Sequence, residues 1–433
     1  MSALLIRGGR VVDPSQNLDA LRDVLIRNGA IVEIAEHVDA GDAEILDAAN
    51  AVVAPGFIDM HVHLREPGQT YKETIATGAA AAVAGGFTAV ACMPNTEPAL
   101  DSPALIADVV RKAEEAGLAR VYPVGAITRA REGKELAPFW SLHEAGAVAF
   151  SDDGATVASA RVLRQAALYA RDVPGVFISH CEDADLKADS VMNEGGASAR
   201  LGLPGSPNLA EDVVVARDIL IAGETGKRFH IAHLSTGLGV KLIEFARAQG
   251  FGITCEAAPH HLLLDDESFE NFRADSKVNP PLRASSEAAA LRRAVREGKI
   301  DALASDHAPH ARDDKAHLLG GAAVGFSGLE TALGAYAQAL PDLPLAQFVE
   351  LVSANPARIL GVNGGTLRVG SPADVTIFAD RPWRVQAARF RSLGKNTPFD
   401  GATFPRQAIA TIVGGVVVMQ NGTIRSAAQP QTP

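Results

Sequence analysis

The pattern of apolar and polar positions divides the chain into three parts. Residues 1–53 alternate short apolar runs with turn residues, which is typical of antiparallel strands. Residues 54–365 repeat an apolar run of strand length followed by a longer stretch rich in Ala, Leu, Glu and Arg, which predicts βα units. Residues 366–433 return to short strands and turns. We therefore expect the two ends of the chain, 1–53 and 366–433, to form one small β-sandwich domain beside a domain of βα units.

Eight apolar runs in the middle part are expected to be strands. They are VVAPGFID, FTAVACM, ARVYPVGA, AVAFS, GVFISH, FHIAH, FGITCE and DALAS. Parallel strands that are covered on both faces are continuously apolar, and eight of them separated by helices predict an α/β fold of the (β/α)8 TIM-barrel type. An open doubly wound sheet is the alternative, but it would need a glycine-rich phosphate-binding turn after its first strand, and none is present in the sequence.

Charge and composition exclude several classes of function. The 433 residues include 40 Lys and Arg against 51 Asp and Glu, a formal net charge of −11 that argues against non-specific nucleic-acid binding. No clean apolar stretch of membrane-spanning length is found, so no membrane association is expected. The cysteines Cys92, Cys181 and Cys255 are too widely spaced to indicate a disulfide framework. These features are typical of a cytoplasmic enzyme.

Two histidines at the end of the first run suggest a metal site. His61 and His63 stand two residues apart in GFIDMHVHLREPG. Side chains at positions i and i+2 of a strand point to the same face, so two neutral imidazoles could bind one divalent ion there. Taken alone, the pair could equally be a partly exposed strand face.

Further metal-binding residue types occur at equivalent places on other runs. Asp153 follows run four, His180 ends run five, His233 ends run six, and Asp306 follows run eight. Because the carboxyl ends of the strands form one face of a barrel, we expect these residues to converge with His61 and His63. Four imidazoles and two carboxylates exceed the needs of one tetrahedral zinc ion and suit a binuclear site.

The expected site holds two Zn²⁺ ions per subunit, bridged by Asp153 and a hydroxide. His61, His63 and Asp306 are assigned to one ion, and His180 and His233 to the other. Mn, Co or Fe(II) could bind the same ligands. Zinc lowers the pKa of bound water to about 7, so a hydroxide is available for hydrolysis at neutral pH. Asp306 is the predicted catalytic base, which takes a proton as the hydroxide attacks a carbonyl and passes it to a leaving nitrogen.

Seven motifs together resemble a known family. HVHLREPG, MPNT, SDDG, HCED, AHLST, KVNPPLR and ASDHAPH follow one another across the barrel as in dihydroorotases of the bacterial class I type, within the amidohydrolase superfamily. The resemblance implies zinc-dependent, reversible conversion of (S)-dihydroorotate to N-carbamoyl-L-aspartate in de novo pyrimidine (UMP) biosynthesis. Many members of the superfamily bridge their metals with a carboxylated lysine near the end of the fourth strand. This chain has Asp152 and Asp153 there, which agrees with the class I type.

Substrate-binding residues are expected beside the metal ligands. A guanidinium is well suited to orient a carboxylate, and Arg65 stands two residues after His63. The resemblance assigns Arg65, Asn95 and His310 to the substrate carboxylate and Asn279 to the ring or its amide. Two other histidines, His260 and His307, could support metal ligands or simply pack, and Cys181 is expected to be a buried, inert thiol.

Several alternatives stay open at this point. An allantoinase or hydantoinase would open a cyclic amide on the same scaffold, although Arg65 and Asn95 favour a ring that carries a carboxylate. A non-catalytic partner subunit of aspartate carbamoyltransferase would be expected to lack metal ligands, whereas all six are present. The substrate is expected to be a small molecule, the chain a homodimer, and association with aspartate carbamoyltransferase is possible. The glycine-rich stretch 310–328 is either a lid over the substrate or a mobile loop without a role.

Overall fold

The computed structural model describes residues 3–269 and 272–425. The strands are β1 (Ala3–Asp13), β2 (Leu18–Arg27), β3 (Ala30–Ala35), β4 (Glu44–Asp47), β5 (Val52–Pro55), β6 (Phe57–Val62), β7 (Phe87–Cys92), β8 (Arg120–Gly125), β9 (Ala149–Ser151), β10 (Val176–Ser179), β11 (Met192–Asn193), β12 (Gly205–Ser206), β13 (Phe229–Ile231), β14 (Ile253–Ala257), β15 (Ala302–Leu303), β16 (Val375–Ala379), β17 (Trp383–Arg384), β18 (Thr403–Phe404), β19 (Gln407–Val413), β20 (Val416–Gln420) and β21 (Thr423–Ile424).

Helices connect most of these strands. The α-helices are α1 (Ile75–Gly85), α2 (Pro103–Ala116), α3 (Phe139–Glu144), α4 (Ala160–Tyr169), α5 (Ala184–Lys187), α6 (Gly196–Leu201), α7 (Leu209–Thr225), α8 (Gly237–Ala248), α9 (Pro259–Leu263), α10 (Ser285–Arg296), α11 (Arg312–Lys315), α12 (Leu329–Ala339), α13 (Leu345–Val349) and α14 (Asn355–Leu360). Short 3-10 turns lie at Pro14–Gln16, Arg129–Arg131, Asp266–Phe269, Ala274–Ser276 and Ala387–Arg389, and a π-helical turn at Glu350–Ala354. The longest helix of the described residues, α7, packs along α4 and α8.

Eight parallel strands form the barrel in chain order. They are β6, β7, β8, β9, β10, β13, β14 and β15. The two edges of this sheet approach each other where Val62 forms a parallel bridge with His307 and the N–H of His63 donates to the carbonyl of His307 at 2.8 Å. Each of the eight predicted runs overlaps one barrel strand, so the predicted (β/α)8 fold is confirmed.

The barrel strands are buried on both faces, as their continuously apolar sequences require. In β6, Ile58 and Met60 pack in an inner cluster that also includes Ile359 of α14, while Phe57 packs in the larger cluster under the surrounding helices. Phe177 of β10 lies in that larger cluster as well. The apolar side chains of the inner cluster fill the interior of the barrel, and polar side chains follow at the carboxyl ends of the strands.

The ends of the chain form a second, nine-stranded sheet. Its order is β21-β20-β19-β16-β5-β1-β2-β3, and β4 pairs with β1. β5 pairs antiparallel with β16, so this pairing joins the N-terminal and C-terminal segments. The predicted run VVAPGFID is therefore shared between two strands, since Val52–Pro55 belong to this sheet and the barrel strand begins at Phe57. The division into a satellite domain (1–53 and 366–433) and a barrel domain (54–365) stays a prediction.

None of the helices in the described ranges combines the length and the apolar character that crossing a bilayer requires.

Candidate metal centre

The structure brings all six predicted metal ligands together at the carboxyl end of the barrel. Each lies within or just after a barrel strand, and each is buried: His61, His63, Asp153, His180, His233 and Asp306. The register between β6 and β7 is irregular between Asp59 and Val62. The carboxylate of Asp59 stabilises this irregular part of β6, because it accepts the N–H groups of His61 and Ser305, each at 3.1 Å.

Asp153 lies at the centre of the cluster and faces two pairs of histidines. Its Oδ2 lies 3.4 Å from Nε2 of His61 and 3.5 Å from Nε2 of His63. Its Oδ1 lies 3.5 Å from Nδ1 of His180 and 3.5 Å from Nε2 of His233. The two oxygens of one carboxylate thus point to two separate sets of imidazole nitrogens, which is the arrangement expected of a bridging ligand.

Asp306 completes the first set. Its Oδ1 lies 3.2 Å from Nε2 of His63 and 3.7 Å from Nε2 of His61. In the second set, Nδ1 of His180 and Nε2 of His233 lie only 3.0 Å apart. The assignment of these residues to two metal ions, with Asp153 shared between them, stays a prediction.

The cluster has the properties of a cation site. Ligand atoms of His61, His63 and Asp306 lie within 4.8 Å of one another, and so do those of His61, Asp153 and His233. Among the described residues, Nε2 of His61 and Oδ1 of Asp153 have no hydrogen-bond partner although both are buried. Because unsatisfied polar atoms are costly to bury, this donor set of nitrogens and carboxylate oxygens fits zinc or a similar divalent ion.

The charges of the cluster are strongly coupled. Burial raises the pKa of Asp153, but His61, His180 and His233 outweigh it and hold that pKa well below its ordinary value. Burial lowers the pKa of His180, but Asp153 and Glu182 raise it to about 9. Without a metal, the imidazoles would therefore bind protons, and a cation that binds to the cluster would displace those protons.

A second layer of carboxylates orients the histidines. Glu256 of β14 lies 2.7 Å from Nδ1 of His61 through Oε1 and 3.1 Å from Nε2 of His230 through Oε2. Burial raises the pKa of Glu256, but the two histidines lower it to about 2, so the carboxylate is ionised. Glu182 lies 2.9 Å from Nε2 of His180 and accepts from Lys187 at 2.6 Å.

Sequence reasoning did not identify either of these glutamates. The signal was present: Glu256 is a carboxylate within the apolar run FGITCE, and Glu182 stands two residues after His180 in HCED. Their roles depend on contacts between residues on different strands or beyond a strand end, as in the pairing of Glu256 with His61.

Three predicted substrate-binding residues lie beside the first metal set. Nδ1 of His63 lies 2.8 Å from Oδ1 of Asn95. Arg65 is 7% exposed, donates through Nε to the carbonyl of Pro309 at 3.2 Å, and places Nη2 3.3 Å from Nε2 of His310. Burial lowers the pKa of Arg65 to about 10, which still leaves the guanidinium charged at neutral pH. Among the described residues, no carboxylate lies within ion-pair distance of Arg65.

Asn279 has different neighbours. With its amide oriented to satisfy both ends, the nitrogen donates to the carbonyl of Val278 at 2.9 Å and the oxygen accepts from Lys187. Since Lys187 also pairs with Glu182, Asn279 is connected to the second metal set through Glu182 and His180. Its assignment to the substrate stays a prediction.

His307 is held by hydrogen bonds, whereas His260 and Cys181 are buried by packing. Nδ1 of His307 accepts the N–H of Gly328 at 3.0 Å. The ring of His260 packs against Phe326 with centroids 5.2 Å apart, and burial lowers its pKa to about 4. Burial raises the pKa of Cys181 well above its ordinary value, which suits an inert thiol.

Comparisons with known proteins agree with this geometry. A family described as Dihydro-orotase-like matches residues 50–237, and one described as Amidohydrolase family matches residues 216–419. The dihydroorotase of Syntrophus aciditrophicus is 47% identical over 422 residues, covering 96% of this chain and 99% of its own length. The dihydroorotase of Pelotomaculum thermopropionicum is 50% identical over 426 residues, covering 98% of this chain and 100% of its own.

Solved structures show the same fold. An L-hydantoinase (dihydropyrimidinase) from Arthrobacter aurescens matches with a TM-score of 0.85 and 27% identity, covering 98% of each chain. A dihydropyrimidinase from Brevibacillus agri matches with a TM-score of 0.83 and 22% identity over 98% of this chain and 96% of its own, a similarity of fold alone. With curated relatives this similar over nearly its whole length, the chain belongs to the dihydroorotase family of the amidohydrolases.

Proposed function

We propose that this chain is a dihydroorotase that hydrolyses the cyclic amide of (S)-dihydroorotate to N-carbamoyl-L-aspartate, and closes the ring in the biosynthetic direction of pyrimidine synthesis. The relatives that are 45–50% identical over nearly the whole chain carry that name. The structural observation that carries the proposal is the buried guanidinium of Arg65, which has a metal-type cluster beside it and no carboxylate partner among the described residues. A ring bearing a carboxylate would supply that partner.

The residues around the cluster would orient the substrate. Arg65, Asn95 and His310 would bind the carboxylate, an assignment supported by the short distances of Arg65 to His310 and of Asn95 to His63. Asn279 is proposed to contact the ring or its amide. Fixing the ring by its carboxylate presents the amide carbonyl to the ligand cluster, which accelerates reaction by orientation.

The cofactor we propose is Zn²⁺, two ions per subunit, held by His61, His63 and Asp306 on one side and by His180 and His233 on the other, with Asp153 between them. Zinc bound there would polarise the amide carbonyl and make water a better nucleophile at neutral pH.

Asp306 is the proposed catalytic base. Burial raises its pKa, but His63, His61 and His233 hold it well below the ordinary value, so the carboxylate is ionised and can accept a proton. It takes the proton from the attacking water and returns it to the ring nitrogen as the C–N bond breaks. In ring closure the same proton moves in the opposite direction.

The setting of the reaction is also part of the proposal. We place the enzyme in the cytoplasm, as a homodimer that could associate with aspartate carbamoyltransferase. A non-catalytic role in such an assembly is disfavoured because all six ligand positions converge on one cluster.

Hydantoinase-type activity is the second candidate, supported by the fold shared with the Arthrobacter aurescens L-hydantoinase. The purified protein should be analysed for metals and assayed with (S)-dihydroorotate, N-carbamoyl-L-aspartate, hydantoin and allantoin. We expect zinc and a higher kcat/KM for dihydroorotate than for either neutral ring. Preferential turnover of a neutral ring would overturn the assignment, and a metal-free, inactive chain would support the non-catalytic alternative.

A further inference from the structure

A cleft of about 520 Å³ lies away from the metal centre, between α1, α12 and the segment from residue 383 to residue 422. We call it the arginine cleft because four arginines line it: Arg384, Arg389, Arg391 and Arg406. Trp383 and Glu330 also form part of its wall. None of the proposed metal or substrate residues lies in its lining, so it is separate from the site described above.

The positive charge of the arginine cleft is only partly neutralised. Arg406 pairs with Asp380 at 2.6 Å, and Asp380 is largely exposed to solvent. Arg391 donates through Nη2 to the carbonyl of Gly422 at 2.9 Å. In the ranges that the structure describes, Arg384 and Arg389 form no ion pair. This local excess of positive charge occurs in a chain whose formal net charge is −11.

The carboxylate of Glu330 binds backbone N–H groups and, among the described residues, forms no ion pair with the arginines of the cleft. Its Oε1 accepts the N–H groups of Arg391 at 2.7 Å and of Ser392 at 3.2 Å. Glu330 thereby fixes the segment that carries Arg391 at the edge of the cleft. The carboxylate acts as a support for one of the arginines.

Trp383 and Arg406, which line the arginine cleft, are held in place by neighbouring groups. Nε1 of Trp383 donates to the carbonyl of Arg406 at 2.9 Å, and the Trp383 ring packs against Phe404 with centroids 6.2 Å apart. The guanidinium of Arg406 lies 5.4 Å from the ring centre of Phe378. Trp383 and Arg406 therefore have fixed positions, while Arg384 and Arg389 are exposed and free to turn toward a ligand.

We propose that the arginine cleft binds a small phosphorylated anion. Guanidinium groups match the oxygens of a phosphate bidentately, and several of them around one volume favour a ligand with more than one negative charge. The volume lies within the range of small-molecule sites. Trp383 offers an aromatic surface for a base, so the ligand is either a nucleoside polyphosphate or a free polyphosphate.

The test is a binding measurement with inorganic tripolyphosphate and with ATP at low ionic strength and again at 0.15 M salt. Trp140 is replaced by Phe, which leaves Trp383 as the chain's one tryptophan and a fluorescent reporter of the cleft. Calorimetry gives the affinity for both probes, and fluorescence shows whether the base reaches Trp383. Quenching by ATP identifies a nucleoside ligand, and equal affinity without quenching identifies a ligand bound by its phosphates alone.

Variants separate the arginine cleft from other anion sites. Arg384→Gln and Arg389→Gln should each weaken tripolyphosphate binding about tenfold, the loss expected for one charge-assisted hydrogen bond. Arg381→Gln is the matched control, since Arg381 is an exposed arginine just before this segment and outside the cleft lining. Chelation of metal by the probe would be the same in all variants. Absence of binding, or equal weakening by Arg381→Gln, would overturn the proposal, and dihydroorotate turnover should be unchanged throughout.

Discussion

Oε1 of Glu256 lies 2.7 Å from Nδ1 of His61 and accepts the backbone N–H of His233 at 3.2 Å. One oxygen on β14 thus positions residues from two other strands. Because an ionised carboxylate can only accept, Nδ1 of His61 keeps its proton, and Nε2, which faces Asp153 and Asp306, is the nitrogen left to bind a cation. This contact fixes the form of the imidazole that can bind a cation.

Glu256→Gln should therefore weaken metal binding by about 10–100-fold, the usual loss when the partner of a ligating histidine is removed. The amide keeps the shape of the carboxylate but no longer carries its charge. Metal titration monitored by elemental analysis measures the effect. Glu244→Gln, which removes a carboxylate paired with Lys299 at the surface, is the control and should bind metal normally. Unchanged metal affinity in Glu256→Gln would show that the contact is not needed.

Asp306→Ala should abolish turnover while the protein stays folded. The substitution removes both a proposed metal ligand and the proposed base, and loss of acid–base catalysis alone costs about 10²–10⁴-fold. The rate of dihydroorotate ring opening and the thermal unfolding midpoint measure the two effects. Asp313→Asn, an exposed carboxylate on the following segment, should leave both unchanged. A near-normal rate in Asp306→Ala would refute the catalytic role.

Arg65→Met should raise the KM for dihydroorotate at least about tenfold, since it removes a charged hydrogen-bond donor from the proposed carboxylate site. Metal content should stay the same, because Arg65 contacts Pro309 and His310 rather than the ligands. Steady-state kinetics and elemental analysis test the two statements. Arg312→Met provides an exposed arginine for comparison. If KM does not change, Arg65 does not bind the carboxylate.

Glu330 should make stability depend on pH. Burial raises its pKa from 4.5 to about 7. The folded state therefore holds a proton that the unfolded chain has released, so this contribution to stability is complete below pH 4.5 and is lost as the pH rises through about 7. Urea unfolding gives the free energy of unfolding at each pH. Its dependence on pH should differ most between the wild type and Glu330→Gln from pH 5 to pH 7. The exposed Glu350→Gln should follow the wild type; a Glu330→Gln curve parallel to it would contradict the raised pKa.

Lys277 should hold the stretch 310–328 in place. Its buried ammonium donates to the carbonyls of Leu319 at 2.5 Å, Gly320 at 3.2 Å and Ala322 at 2.9 Å. Lys277→Met should lower the free energy of local opening by about 1–3 kcal/mol, which hydrogen exchange of this stretch measures. The exposed Lys241→Met is the control.

The same exchange experiment addresses the lid hypothesis. Added dihydroorotate should slow exchange in the wild-type stretch 310–328 if the stretch closes over substrate. Equal exchange with and without substrate would leave the stretch as a loop that Lys277 holds in place without a role in closure.

The sequence was sufficient to predict the barrel because its parallel strands are buried on both faces and therefore read as uninterrupted apolar runs. It did not separate β5 from β6 within VVAPGFID, since both halves are apolar and only the pairing of Val52–Pro55 with β16 assigns them to different sheets. The two-residue strands β11 and β12 were also missed, because pairs as short as Met192–Asn193 have no periodicity to detect.

The convergence of the six proposed ligands was predictable because each ends or follows a strand, and strand ends meet at one face of a barrel. The supporting residues were not. Glu256 lies within an apolar run and acquires its role only from His61 on a strand 195 residues away. Asn279 contacts Lys187, a neighbour that depends on how α5 is placed.

The pairing of β5 with β16 also constrains how the chain can be made. Ala54 of β5 pairs with Thr376 of β16, far later in the chain. During synthesis, β5 can therefore pair with β16 only after residues 375–379 have left the ribosome. A chain that ends before β16 would leave one edge of β5 unpaired, and an unpaired strand edge favours aggregation.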